Sequence, residues 1–362
     1  MKKDTAGERV KKQNKKTMNI GGRFIGEGNP VFLIAEMSAN HNQSFEDAVS
    51  IIRSAKEAGA DAVKLQTYTP DTITIDSGKE YFRIKGGLWD GENLYSLYKK
   101  AYTPWDWQPR LKRIADELGI LLFSTPFDKT AVDFLEDMDV PAYKVASFEL
   151  VDLPLIEYIA ARGKPVIMSV GMATLAEIED AVNTARGAGA KEIALLKCTS
   201  AYPAPAEDIN LKTISHLADA FGVVTGLSDH TAGMAVPVAA VSLGARIIEK
   251  HFTLSRAAGG PDAAFSLEPP EFAAMAEAVR AVEKAIGKVH YGLTAAEEQG
   301  RTFRRSLFAV RDIKRGEAFT DGNVRSIRPG HGLPPKFLKK ILGKKAARDV
   351  EKGTPLDWDM LE

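Results

Sequence analysis

GARIIEKHFTLS, residues 244–255, runs from an apolar pair, Ile247 and Ile248, straight into three ionisable groups, Glu249, Lys250 and His251. A strand buried on both faces reads as an unbroken apolar run. Charge inside a core is costly unless it is paired. The stretch therefore predicts a buried strand whose far end opens into a polar cavity. VVTGLSDHTAG, residues 223–233, repeats the pattern and finishes on Ser228, Asp229 and His230. Strand side chains alternate with period two, so Ser228 shares a face with His230, and Glu249 with His251.

Six further apolar runs precede these two: VFLIAEMS (31–38), AVKLQTY (62–68), ILLFSTP (120–126), AYKVAS (142–147), PVIMSV (165–170) and EIALLKC (192–198). Between them lie amphipathic stretches at helical spacing, such as SFEDAVSIIRSAKEAGA, several of which end on glycine. Eight strands, each followed by a helix, predict a closed (β/α)8 TIM barrel over residues 18–287. A doubly wound sheet would carry a glycine-rich phosphate loop after its first strand, and EMSANHNQS is not one. The connection from Thr69 to Pro104 is long enough to imply a task of its own, such as covering a site. Residues 288–303 read as a linker. Residues 304–362, short runs split by glycine and proline, read as a small β-rich domain.

Lys plus Arg and Asp plus Glu both number 48, and this balance argues against nucleic acid or an anionic membrane as partner. The lone cysteine, Cys198, excludes an internal disulfide and points to a cytoplasmic protein. No apolar run approaches the roughly 20 residues that span a bilayer. Residues 1–17, polar and lysine-rich, are expected to be a disordered tail or to precede a true start at Met18.

The strand ends supply the chemistry, because (β/α)8 enzymes build their sites there. Lys64 and Lys144, with hydroxyls from Ser124, Thr125, Ser147, Ser169 and Ser228, suit a small dianion such as one bearing phosphate and carboxylate. Lys144 and Ser147 have opposite parity, so one of them lies past its regular strand. His230 and His251 on adjacent strands could share a divalent metal with positions left open for substrate. Each residue also has a plainer role available. A strand-end histidine can be a hydrogen-bonded structural residue, and Glu36, Glu149 and Glu249 can be ion-pair partners of the lysines. Lys144 or Lys197 could form the Schiff base of a barrel aldolase, and a carbohydrate-binding protein without catalysis is a further class.

IAEMSANHN, VKLQTY, FSTPFD, AYKVASFE, KCTSAYPAP, GLSDHT and EKHF together resemble the sialic acid synthases, which condense phosphoenolpyruvate with an amino-sugar aldehyde. IRPGHGL and LGKKAARDVEKGTPL resemble the antifreeze-like SAF domain that closes those enzymes. YFRIKGGLWDGENLYSLYKKAYTP resembles the branch that makes pseudaminic acid, a sugar of flagellin and surface glycans. The branches making N-acetylneuraminic and legionaminic acids are the alternative. One departure stands out: Val170 occupies a position where the family usually has threonine.

The resemblance implies that Lys64, Thr125, Lys144, Ser147, Ser169, Ser200 and Ser228 hold phosphoenolpyruvate. It implies that Glu36, Gln66, Tyr202 and Asp262 face the sugar, and that His230 and His251 bind Mn2+, with Mg2+ or Co2+ as alternatives. Arg328 would enter a partner's barrel in a domain-swapped homodimer. Glu149 is expected to take the proton of the attacking water, with Glu36 as the alternative.

Overall fold

The computed structural model describes residues 17–362. Of the expected tail, residues 1–16 lie outside the described part, and Thr17 opens a strand instead. β1 (Thr17–Ile20) pairs antiparallel with β2 (Arg23–Gly26). The reason is legible in NIGGRFIG: Gly21 and Gly22 both take positive φ, 55° and 85°, as a two-residue hairpin turn requires. Met18, Ile20 and Ile25 are buried in the same apolar cluster as the barrel strands. Gly21 lies against Leu121 and Pro141, at the amino-terminal ends of two strands, so this unexpected hairpin closes the bottom of the barrel.

The expected barrel is present. β3 (Phe32–Glu36), β4 (Ala62–Thr67), β5 (Leu121–Pro126), β6 (Tyr143–Val145), β7 (Val166–Ser169), β8 (Ile193–Cys198), β9 (Val224–Asp229) and β10 (Ile247–His251) are parallel, and β10 pairs with β3 to close the ring. The strands cross closely: a methyl group on Gly226 of β9 would stand 2.2 Å from the Ile247 carbonyl oxygen.

The main helices are α1 (Phe45–Glu57), α4 (Gln108–Leu118), α5 (Lys129–Asp137), α6 (Leu153–Ala160), α7 (Leu175–Gly187), α8 (Thr213–Phe221), α9 (Ala235–Ser242) and α10 (Pro269–Ile286). Their ends follow from local chemistry. Ser44 caps α1 by accepting from the Asp47 amide, Thr174 and Glu177 form a capping box on α7, and Gly119 ends α4 at φ 67°. The 69–104 connection carries α2 (Pro70–Ile73) and α3 (Leu94–Ala101).

Lys250 and Asp229 occupy the outward parity of β10 and β9. They form a fully buried ion pair at 2.6 Å, and Lys250 also donates to the Thr231 carbonyl. This pair locks together the two strands that end at His230 and His251.

The chain divides after Gly287 into two compact units. Residues 288–303, expected as a linker, fall in the second unit and carry the short helix α11 (Ala295–Glu298) and a 3-10 segment, Gln299–Phe303. β11 (Ser306–Ala309) and β12 (Val324–Ile327) pair antiparallel over a small core of Leu307, Ile313, Phe319, Ile341, Val350 and Leu356.

Candidate active site

At the carboxyl ends of the strands, two buried ammonium groups flank one carboxylate. Glu249 Oε1 on β10 lies 3.7 Å from Lys64 Nζ on β4 and 3.9 Å from Lys144 Nζ on β6. Lys64 also pairs with Glu36 Oε2 at 2.6 Å and donates to Thr125 Oγ1. Lys144 donates to Ser169 Oγ at 2.7 Å, and Ser228 Oγ donates to Glu249 Oε1 at 3.0 Å. Burial disfavours the charged form of both lysines. The Glu249 and Glu36 carboxylates outweigh it at Lys64, whose pKa is raised, while at Lys144 burial prevails and lowers it.

Ser147 lies past β6, on the 3-10 turn Ser147–Glu149, which resolves its parity conflict with Lys144. Its hydroxyl accepts from the Gly171 amide at 3.1 Å. A methyl group on Gly171 would stand 2.4 Å from Ser200 Oγ and 2.8 Å from Ser147 Oγ. Glycine there keeps a small hydroxyl-lined hollow open beside Ser169. Val170 packs into the apolar cluster of the barrel, so the missing family hydroxyl takes nothing from this hollow.

His230 and His251 stand with ring centroids 5.3 Å apart. His230 Nδ1 lies 3.1 Å from the Thr199 carbonyl oxygen, an acceptor only, so Nδ1 carries a proton. Burial works to lower the His230 pKa, but Cys198 and the Thr199 carbonyl outweigh burial and raise it. Burial, with the neighbouring His230, Lys64 and Lys250, holds the His251 imidazole well below its usual pKa, hence neutral. His251 Nδ1, Glu149 Oε2 and Glu249 Oε2 are buried without a hydrogen-bond partner. Each such atom costs about 1–3 kcal/mol. Gathered at one end of the barrel, they mark a place for a polar ligand. Among the described residues no three His, Cys, Asp or Glu side chains cluster as a metal site. His230 and His251 stand there as a pair of imidazoles.

The opposite wall is polar and then aromatic. Gln66 Nε2 donates to Glu36 Oε1 at 3.1 Å and to Ser38 Oγ at 2.9 Å, and Ser38 donates to Asp262. Tyr202 packs on His230 with centroids 4.5 Å apart and on Phe265 at 5.2 Å. Trp89, from the long connection, packs on Tyr202 at 5.6 Å and donates its indole N–H to the Pro261 carbonyl at 3.2 Å.

Burial pushes Glu36 and Glu149 up to about 7, against the pull of Lys64 and Lys144 respectively. Arg328 lies exposed in the second unit. Sequence reasoning left Glu249 among the plain ion-pair candidates, although its parity with His251 put it in the cavity. It assigned no role to Ser38 or Trp89, whose partners lie 224 and 172 residues away along the chain.

The sequence pattern of the NeuB family matches residues 51–291, and that of the SAF domain matches residues 304–362. A pseudaminic acid synthase of Campylobacter jejuni subsp. jejuni serotype O:23/36 (strain 81-176) is 49% identical over 326 residues, 90% of this chain and 95% of that protein. An N,N'-diacetyllegionaminic acid synthase of Campylobacter jejuni subsp. jejuni serotype O:2 is 38% identical over 323 residues, 88% of this chain and 96% of that protein. Among solved structures, the spore coat polysaccharide biosynthesis protein spsE of Bacillus subtilis superposes with a TM-score of 0.66 at 34% identity, covering 96% of this chain and 99% of that one.

Proposed function

The chain belongs to the NeuB family, and on that premise we propose that it is a pseudaminic acid synthase, condensing phosphoenolpyruvate with 2,4-diacetamido-2,4,6-trideoxy-L-altrose and releasing phosphate by C–O cleavage. The observation that carries this reading is 49% identity across 90% of the chain, joined to a cavity built from two ammonium groups, clustered hydroxyls and two imidazoles. The reaction forms a carbon–carbon bond and is a transfer of the enolpyruvyl carbons.

Lys64 and Lys144 grip the carboxylate and phosphate of phosphoenolpyruvate. Thr125, Ser147, Ser169, Ser200 and Ser228 donate hydrogen bonds around them. Glu36, Gln66, Tyr202 and Asp262 bind the acceptor. His230 and His251 would hold Mn2+, or else Mg2+ or Co2+, which when bound supplies Lewis acidity at the aldehyde oxygen. Carbon 3 of the enol attacks the aldehyde carbon, and positive charge develops at carbon 2. Glu249, fixed between the two lysines, stabilises that charge. Water adds at carbon 2, and Glu149 takes its proton, its pKa of about 7 suiting a base at neutral pH; Glu36 is the alternative base. The hemiketal phosphate then breaks its C–O bond, and phosphate leaves with the bridging oxygen.

Arg328 serves the acceptor site of a second copy in a domain-swapped homodimer. Charge supports the pairing: residues 288–362 hold 16 Lys and Arg against 10 Asp and Glu in a chain that is neutral overall. No helix of the described residues is long and apolar enough to cross a membrane. We assign the enzyme to the cytoplasm, where its product would supply flagellin or surface glycans.

Phosphate release tests this reading, with phosphoenolpyruvate and the 6-deoxy diacetamido altrose, N-acetylmannosamine or the legionaminate precursor as acceptor, each with and without chelator. Fast release with the altrose alone, abolished by chelator, is expected. Preference for either other sugar would move the enzyme to another branch of the family, and release indifferent to chelator would remove the cation from His230 and His251.

A further inference from the structure

Ser38 sits in the turn after β3 with φ 46° and is 3% exposed. Left-handed backbone is strained at any residue but glycine and persists where the surroundings demand it. What this side chain does there is specific. Its hydroxyl donates to Asp262 Oδ2 and accepts from Gln66 Nε2 at 2.9 Å. Asp262 Oδ2 is also 3.5 Å from the Ala39 amide, whereas Asp262 Oδ1 has no hydrogen-bond partner among the described residues. Asp262 belongs to the loop after β10 and Gln66 to β4, so one hydroxyl ties three separate elements together. The chain of contacts continues from Gln66 to Glu36 and on to Lys64.

We propose that Ser38 is a positioning residue for the acceptor, its hydroxyl aiming Asp262 and Gln66 at the hydroxyl and acetamido groups of an amino-sugar aldehyde. The inference rests on the function proposed above. Ser38 itself touches neither substrate. The single serine proton goes to Asp262 Oδ2, which turns Oδ1 toward the acceptor as a free hydrogen-bond acceptor. Of the groups assigned to phosphoenolpyruvate, Lys144, Ser147 and Ser169 make no contact with this network, and Lys64 is linked to Ser38 only through Glu36 and Gln66.

Two variants separate the hydroxyl from the backbone strain. Ser38→Gly removes the hydroxyl and relaxes the left-handed turn, whereas Ser38→Ala removes the hydroxyl and keeps the strain. Steady-state phosphate release is measured while the acceptor and phosphoenolpyruvate are varied in turn. Both variants should raise the acceptor KM roughly 10- to 100-fold, the usual effect of losing a hydrogen bond to a charged group. The KM for phosphoenolpyruvate should stay within about twofold of wild type, and the Tm of Ser38→Gly within a few degrees. A wild-type acceptor KM in Ser38→Gly, or equal rises in both KM values, would overturn the inference alone. A wild-type enzyme releasing phosphate with no amino sugar would overturn the functional reading, and this inference with it.

Discussion

His251 is neutral and buried, with one nitrogen lacking a partner, a costly arrangement unless something binds there. Replacing it with alanine removes an uncompensated polar group from the core and also removes one of the two proposed cation donors. His251→Ala should therefore lower turnover about 100-fold or more while shifting the Tm by only a few degrees. Near-normal turnover with metal present would contradict the cation role. At this scale the sequence was informative wherever strand parity decided the matter, since parity alone turned Lys64, Ser228, His230, Glu249 and His251 to one side. It offered Glu36, Glu149 and Glu249 as partners of the lysines without saying which meets which, and the structure pairs Glu36 and Glu249 with them. That Glu249 stands between two lysines depends on β10 closing the ring beside β3, and Ser38 meets Asp262 only once the loop after β10 is folded over it.

The 69–104 connection acts as one element. His41, after β3, anchors its far end: Nε2 lies 3.1 Å from Thr103 Oγ1, and Nδ1 accepts from the Gln43 amide. Burial lowers the His41 pKa from 6.5 to about 4. The unfolded chain thus binds more protons between those values, so the neutral ring contributes stability that is complete above about pH 6.5 and lost as pH falls toward 4. The shift corresponds to about 3 kcal/mol. Urea unfolding of His41→Asn should lose less stability than wild type between pH 7 and pH 4.5, and identical pH slopes would contradict this anchoring. In the middle of the connection, Trp89 packs on Tyr202 and so walls the proposed acceptor side. Trp89→Ala should raise the acceptor KM about tenfold and leave that for phosphoenolpyruvate unchanged; a change in the phosphoenolpyruvate KM alone would contradict it. The length of this connection signalled a covering element, but nothing local in KGGLW specifies Tyr202 as its partner. The β1–β2 hairpin carries a local signal only in its Gly-Gly turn, because its strands have four residues each.

At the scale of the whole molecule, the barrel unit holds the imidazoles and lysines, and the second unit holds Arg328. If Arg328 serves a second copy's barrel, then His251→Ala and Arg328→Ala, each inactive alone, should recover activity when mixed and allowed to exchange subunits. Random pairing gives about a quarter of wild-type activity, because half the dimers then hold one intact site of two. Absence of recovery after demonstrated exchange would contradict the swapped arrangement. The barrel was legible in sequence because eight apolar runs recur with helices between them, a repeat that few folds can accommodate. The proposed association of two copies would leave no such period.

The chemistry itself is tested most directly by the fate of one oxygen atom. Phosphoenolpyruvate labelled with oxygen-18 in its bridging position is incubated with the enzyme and the diacetamido altrose, and the released phosphate is weighed by mass spectrometry. Attack of carbon 3 followed by water addition at carbon 2 predicts that the phosphate retains the label. Unlabelled phosphate, with the heavy atom left in the sugar acid, would mean that the P–O bond had broken and would contradict the account.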